Sequence, residues 1–140
     1  MTYISKTLRR KIADAANHQC GYCLTNQKIS GAQMHLEHVI PRSLGDPSDE
    51  SNLWLACAWC NSYKGVQTHA TDTVTQQETP LFNPITQNWF KHFRWSEDGL
   101  LIIGLTAIGR ATVEALQLNN EYIVPARRHW VLAGWHPPTQ

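Results

Sequence analysis

The sequence predicts an α+β fold in which a strand, a loop, a second strand and a helix are tied together by two pairs of cysteines. Segments that fit strands occupy residues 34–40 and 52–56. A helix-like segment at residues 58–65 follows directly and ends at a glycine. One cysteine pair precedes the first strand and the other lies at the start of the helix, which predicts one closed unit.

The composition limits the classes of protein to which this chain can belong. The chain has 140 residues, of which 42% are hydrophobic and 16% are charged, so it can bury a core and is not intrinsically disordered. No apolar run approaches the roughly 18 residues of a membrane span. The N-terminal residues also lack the apolar stretch of a signal peptide. We therefore expect a cytoplasmic protein.

Cysteine spacing gives the sharpest signal in the chain. The cysteines form two Cys-x-x-Cys pairs, Cys20 with Cys23 and Cys57 with Cys60, separated by 33 residues. Two such pairs suit a tetrahedral zinc site made of four thiolates. Disulfides are the alternative, but nothing marks secretion and the cytosol keeps thiols reduced. A structural zinc ion would join the start of the chain to its middle.

The remaining elements flank this core. Residues 1–19 are expected to form a basic N-terminal helix, with Ser5 as N-cap and an apolar stripe of Leu8, Ile12, Ala15 and Ala16. Residues 20–66 form the core and residues 67–140 a C-terminal extension of the same compact unit. The extension is expected to contain an extended segment, a hairpin of residues 93–95 and 100–103, and helices at 106–118 and 121–133. A break is expected at Pro125.

Three polar residues of the core could carry chemistry. Hydrolysis of a phosphodiester needs a base for water and a cation for the leaving oxygen. His38 offers an imidazole that is mostly neutral at pH 7. Glu37 and Asn61 offer hard oxygen ligands for a hydrated Mg²⁺. Asn52 lies where the loop meets the second strand, so its amide could tie the loop shut.

These residues resemble the HNH endonucleases of the ββα-metal (His-Me finger) type. The resemblance runs from Cys20 to Gly65, about a third of the chain. Its motifs are Cys-x-x-Cys, Leu36-Glu-His-Val-Ile-Pro-Arg-Ser43 and Asn52-Leu-x-Leu-Ala-Cys-x-x-Cys-Asn61-x-x-Lys64-Gly65. It implies a ββα-metal core held by the four-cysteine zinc site, with the N-terminal helix and the C-terminal hairpin and helices as additions.

The resemblance also implies roles for individual residues. His38 would be the general base, Glu37 and Asn61 would hold a catalytic Mg²⁺ or Mn²⁺, and Asn52 would be structural. Lys64 would face phosphate. Glu37 stands where aspartate is more usual, and Asn61 stands where some members have a third histidine, which favours an oxygen-bound ion.

Strand geometry sets a condition on this site. Alternation sends Glu37 and His38 to opposite faces, so both reach one site only if the strand bends or ends there. Pro41 and the loop after it are compatible with that. His35 shares a face with Glu37 and is a candidate phosphate contact or extra ligand, although an ordinary strand histidine explains it as well.

The sequence therefore predicts a metal-dependent DNA endonuclease. His38 would take a proton from water as it attacks phosphorus, while the ion held by Glu37 and Asn61 stabilises the departing 3′-oxygen. DNA would bind through its backbone at Lys64 and Arg42, and also at Arg9 and Arg10 of the basic helix.

One active unit would nick DNA, and a double-strand break would need a homodimer or two sequential cuts.

Two other classes of function remain open. A non-catalytic zinc-containing nucleic-acid-binding module needs the same cysteines and cations, but not Glu37, His38 and Asn61 together. A zinc adaptor that binds another protein through its tryptophan-rich C-terminal part would show no salt-dependent affinity for DNA.

Overall fold

The computed structural model describes residues 4–41 and 50–139, and the chain divides into two compact units. Unit 1 comprises the residues up to 68 together with 83–86, and unit 2 comprises 69–82 together with the residues from 87 onwards. The mixture of helices and strands confirms the α+β class. The division of the chain at residues 19 and 66 stays a prediction.

Unit 1 begins with α1 (Lys6–Ala15), as the apolar periodicity predicts. The Ser5 hydroxyl accepts the backbone N–H of Leu8 at 3.1 Å and caps the helix. Ile12 and Ala16 are buried, as expected, whereas Ala15 is exposed. The helix packs on the second strand of the unit and turns its cations to solvent.

The core of unit 1 follows the predicted order of two strands and a helix. A short helix, α2 (Gln27–Ser30), precedes them and was not predicted. β1 (His35–His38) and β2 (Leu53–Ala56) pair antiparallel, with Glu37 opposite Trp54 and His38 opposite Leu53. The helix α3 (Ala58–Lys64) then runs to Gly65, whose φ of +53° ends it.

Unit 2 begins with a hairpin where the sequence predicts only an extended segment. β3 (His69–Thr71) pairs with β4 (Glu78–Pro80), so that expectation was wrong. The Asp72 carboxylate closes the turn, because it accepts the N–H groups of Val74 and Thr75 at 3.3 and 3.1 Å. Both strands are short and mostly exposed, so they carry no apolar run by which a strand could be read from the sequence.

Asp72 also pairs with Arg110, and this pair makes the stability of unit 2 depend on pH. The guanidinium donates two hydrogen bonds of 2.8 and 2.9 Å and holds the pKa of the carboxyl far below its usual range. Because the unfolded pKa is about 3.9, the stabilisation is full above about pH 4 and is lost as the pH falls further. We expect Asp72→Asn to lower the melting temperature at pH 7.

Thermal unfolding at a series of pH values checks this expectation. The difference between wild type and Asp72→Asn should shrink as the pH falls below about 4, because the Asp72 carboxyl of the unfolded chain then takes up a proton while the paired carboxylate of the folded protein stays ionised. Glu97→Gln is the matched control, since Glu97 is an exposed acid of the same unit. A constant difference between pH 7 and pH 2 would contradict the role given to the ion pair.

The rest of unit 2 is a second hairpin and two helices. α4 (Trp89–His92) leads into β5 (Phe93–Trp95), which pairs with β6 (Ile102–Gly104) and confirms the predicted hairpin. α5 (Ala107–Ala115) begins after Thr106, whose hydroxyl accepts the N–H of Gly109.

The last helix, α6 (Ile123–Leu132), is continuous, so the break expected at Pro125 was wrong. Pro125 lies in the first turn, where a backbone N–H has no partner within the helix. Arg127 is the buried cation of this helix. Its guanidinium donates to the carbonyls of Leu100 and Leu118 and lies 5.1 Å from the ring centre of Trp95.

None of the helices that the structure describes is long and apolar enough to cross a membrane.

Candidate metal centre and candidate active site

Four thiols converge at the centre of unit 1. One sulfur from each of Cys20, Cys23, Cys57 and Cys60 lies within 4.8 Å of the other three. Cys57 is half-buried and the other three are buried. Two Cys-x-x-Cys pairs at this spacing are the donor set of a closed tetrahedral site. The cluster fits a structural metal ion such as zinc, as the spacing predicted.

Hydrogen bonds to sulfur support this assignment. The backbone N–H of Tyr22 donates to Cys20 Sγ, and that of Cys60 donates to Cys57 Sγ, both at 3.4 Å. Hydrogen bonds from the neighbouring cysteines lower the pKa of Cys23, whereas burial raises that of Cys20. Four thiolates so close together need a cation between them, which a structural metal ion such as zinc would supply.

The first cysteine pair packs against β2 through a glycine. A Cβ atom on Gly21 would lie 2.4 Å from Trp54 Cδ1 and 2.7 Å from Pro84 Cβ, so only glycine fits there. Trp54 therefore packs beside the cysteine cluster. Trp59 does not, because it is 45% exposed and stacks on Tyr63.

Glu37 is buried in unit 1, with an exposed fraction of 5%. Its Oε2 atom accepts the hydroxyl of Tyr22 at 2.7 Å. Its Oε1 atom makes no aligned hydrogen bond, but Lys64 Nζ lies 2.7 Å from it. Both carboxylate oxygens are therefore engaged by side chains of the protein.

The two partners of Glu37 and its burial have opposite effects on its pKa. Burial raises the pKa of the Glu37 carboxyl, and the ammonium of Lys64 and the hydroxyl of Tyr22 lower it. Burial and the neighbouring carboxylate raise the pKa of Tyr22 well above its usual value, so Tyr22 keeps its proton and donates.

Lys64 does not occupy the position that the family resemblance implied. Its exposed fraction is 1%, and its ammonium also donates to the carbonyl of Val39 at 2.9 Å. A side chain held in this way cannot reach a phosphate without leaving the Glu37 carboxylate uncompensated. The expectation that Lys64 faces phosphate therefore disagrees with this arrangement.

Asn52 joins β2 to the residues after β1. Its side-chain oxygen accepts the N–H of Ile40 at 2.9 Å, and its side-chain nitrogen donates to the Ile40 carbonyl at 2.8 Å. The Asn52 carbonyl accepts the N–H of Val39 at 2.9 Å. These three hydrogen bonds close the start of the loop, so the position of Asn52 agrees with a structural role.

His38 and Asn61 are both half-buried. β1 ends at His38, which meets the condition that the strand should end at the site. Asn61 lies in the second turn of α3, and its side-chain amide has no hydrogen-bond partner among the described residues. His35, at the other end of β1, is exposed.

The other predicted phosphate contacts are Arg9, Arg10 and Arg42. Arg9 and Arg10 are exposed on α1, where their charges face solvent. Their neighbour Lys11 pairs with Glu50 at 2.7 Å on the surface. Arg42 lies outside the residues that the structure describes.

Of the two side chains predicted to hold a catalytic divalent ion, only one is available for it. The Asn61 amide is available as an oxygen ligand of the kind that Mg²⁺ accepts. The Glu37 carboxylate is not, because Lys64 and Tyr22 hold both of its oxygens. Tyr22 was not predicted as part of the site, although an aromatic hydroxyl inside a Cys-x-x-Cys pair is visible in the sequence.

Residues 20–67 match the family model described as HNH endonuclease, which covers about a third of the chain. The match confirms the resemblance seen in the sequence and includes β1, β2, α3 and all four cysteines. No curated protein and no solved structure matches the chain.

Proposed function

We propose, from the premise that residues 20–67 form an HNH endonuclease domain, that this protein hydrolyses phosphodiester bonds of DNA. The observation that carries the proposal is the family match, because the matched segment includes His38, Asn52 and Asn61. The metal centre supports it by joining the two ends of that segment.

His38 is the general base of the proposed reaction. The imidazole accepts a proton from a water molecule as the oxygen of that water attacks phosphorus. The bond from phosphorus to the 3′-oxygen breaks and this oxygen takes a proton from solvent water, which leaves a 3′-hydroxyl and a 5′-phosphate. Imidazole suits this step because it is mostly neutral at pH 7 and loses the proton again readily.

Asn61 is the proposed protein ligand of a divalent ion at this site. Mg²⁺ or Mn²⁺, when bound, offsets the negative charge that develops on the phosphate oxygens. The side-chain amide of Asn61 is a neutral oxygen donor, and it leaves most of the coordination sphere to water and phosphate. Asn52 closes the loop after β1 and so fixes the backbone beside the base.

The exposed arginines of α1 are the proposed contacts to the DNA backbone. Arg9 and Arg10 carry positive charge on a helix that packs on β2 of the same unit. Contacts to phosphate give affinity without sequence information and weaken as salt rises. We therefore propose that DNA binds to unit 1 through its phosphates.

Nicking of a supercoiled plasmid tests the proposal. The zinc-loaded protein should convert the plasmid to the open circle in Mg²⁺ or Mn²⁺, and excess EDTA added immediately before the DNA should stop the conversion. Re-addition of Mg²⁺ should restore it, and zinc analysis of the EDTA-treated protein controls for loss of the structural ion. Salt-dependent DNA binding without cleavage in either ion would instead favour the non-catalytic binding module.

A further inference from the structure

The side chains of Tyr22, Glu37 and Lys64 form a buried network that links three parts of unit 1. Tyr22 lies between the cysteines of the first pair, Glu37 lies in β1, and Lys64 is the last residue of α3. The contacts from Glu37 to Tyr22 Oη and to Lys64 Nζ are both 2.7 Å long. The network therefore connects the metal centre, the strand and the helix.

Each end of this network adjoins a residue of the proposed active site. Glu37 immediately precedes His38 in β1. Lys64 lies three residues after Asn61 in α3, so the two residues are neighbours on the helix surface. Lys64 also donates to Val39, on the other side of His38. The ion pair thus sets the spacing between the strand end that carries the base and the helix that carries the amide.

A metal-ligand role for Glu37 conflicts with this environment. A divalent cation bound to Glu37 would lie beside a buried ammonium, and like charges repel strongly where water is excluded. Release of Lys64 from the carboxylate would leave a buried cation without its partner, which is costly. The exposed fractions of 5% for Glu37 and 1% for Lys64 make both costs apply here.

We infer that Glu37 is a positioning residue that, through Lys64 and Tyr22, holds His38 and Asn61 in register, and that it is not a ligand of the catalytic ion. This inference rests on the proposed function, because it concerns the same site. It replaces the role that the family resemblance implied for Glu37 with one that the contacts of this chain support.

A cycle of variants with apolar side chains of similar length tests the inference. The proteins are wild type, Glu37→Met, Lys64→Met and the double variant, each in the full chain loaded with zinc. Each single variant leaves a buried charge without its partner, whereas the double variant removes both charges and replaces them by packing. Three quantities are measured: melting temperature, rate of plasmid nicking and binding of Mn²⁺ by electron paramagnetic resonance.

The expected result is recovery in the double variant. Both single variants should melt at lower temperature than wild type and cut about 10–100-fold more slowly, as is typical when a residue that orients a site is lost. The double variant should melt above either single variant and regain most of the nicking rate. It should bind Mn²⁺ with an affinity close to that of wild type, whereas Asn61→Ala should weaken this binding.

Two results would overturn the inference. If the double variant regains its melting temperature but neither cuts nor binds Mn²⁺, then Glu37 is a ligand. If the two single losses in melting temperature simply add, then Glu37 and Lys64 are not coupled. If a single variant does not fold, the double variant is compared directly with wild type. Absence of cleavage by the wild type would instead refute the proposed function, and the melting temperatures and Mn²⁺ binding would still decide the role of Glu37.

Discussion

Cys23→Ser is expected to unfold unit 1 and to release its metal ion. The four thiols lie within 4.8 Å of one another and join the start of the unit to the helix α3. Binding of structural zinc supplies about 10–16 kcal/mol in small zinc domains, which is comparable to the whole stability of a domain. Loss of one thiolate ligand should therefore remove most of the stability of this unit.

Zinc analysis and hydrogen exchange measure this effect together. Wild type should contain one zinc ion per chain, and Cys23→Ser should contain much less. Amide protection should fall in β1, β2 and α3. Thr25→Val is the matched control, because its hydroxyl lies 3.1 Å from Cys23 Sγ and all four thiols are retained. A wild-type protein without metal, or a Cys23→Ser variant with full protection in unit 1, would contradict the assignment.

The metal centre was the most predictable part of this molecule. The geometry of a Cys-x-x-Cys pair is local, so two pairs at a suitable spacing nearly determine a four-sulfur cluster. Helix ends were predictable for the same reason. Ser5 caps α1 and Gly65 ends α3 through contacts within a few residues of each.

The surroundings of Glu37 could not be read from the sequence in the same way. Strand alternation gives the face of β1 on which a side chain lies, but it does not tell which side chain from α3 meets it there. A lysine near a candidate catalytic acid fits either a phosphate contact or an ion pair. Only the packing of α3 on β1 shows that Lys64 turns inward to Glu37.

The missed hairpin of unit 2 has a different cause. Its strands are mostly exposed and lack the apolar residues of β5 and β6. Its turn is closed by the side chain of Asp72, which also binds Arg110 from a distant part of the chain. Partners so far apart in sequence leave no periodic pattern. The segment therefore looked extended although it is paired.

His38→Ala is expected to have the largest effect on activity. The variant keeps the metal centre, the Glu37 ion pair and the Asn52 hydrogen bonds, because none of these uses the imidazole. Loss of a general base typically lowers the rate about 10²–10⁴-fold.

The most direct test of the account is the single-turnover nicking rate of His38→Ala in Mg²⁺, measured against wild type from pH 5.5 to 8.5. His129→Ala is the matched control, because His129 is an exposed histidine of α6 in unit 2. A general-base role for His38 predicts a loss of about 10²–10⁴-fold at pH 7.5 in His38→Ala, with unchanged DNA affinity. Nicking by His38→Ala at the wild-type rate would show that the imidazole is not the base and would contradict the account.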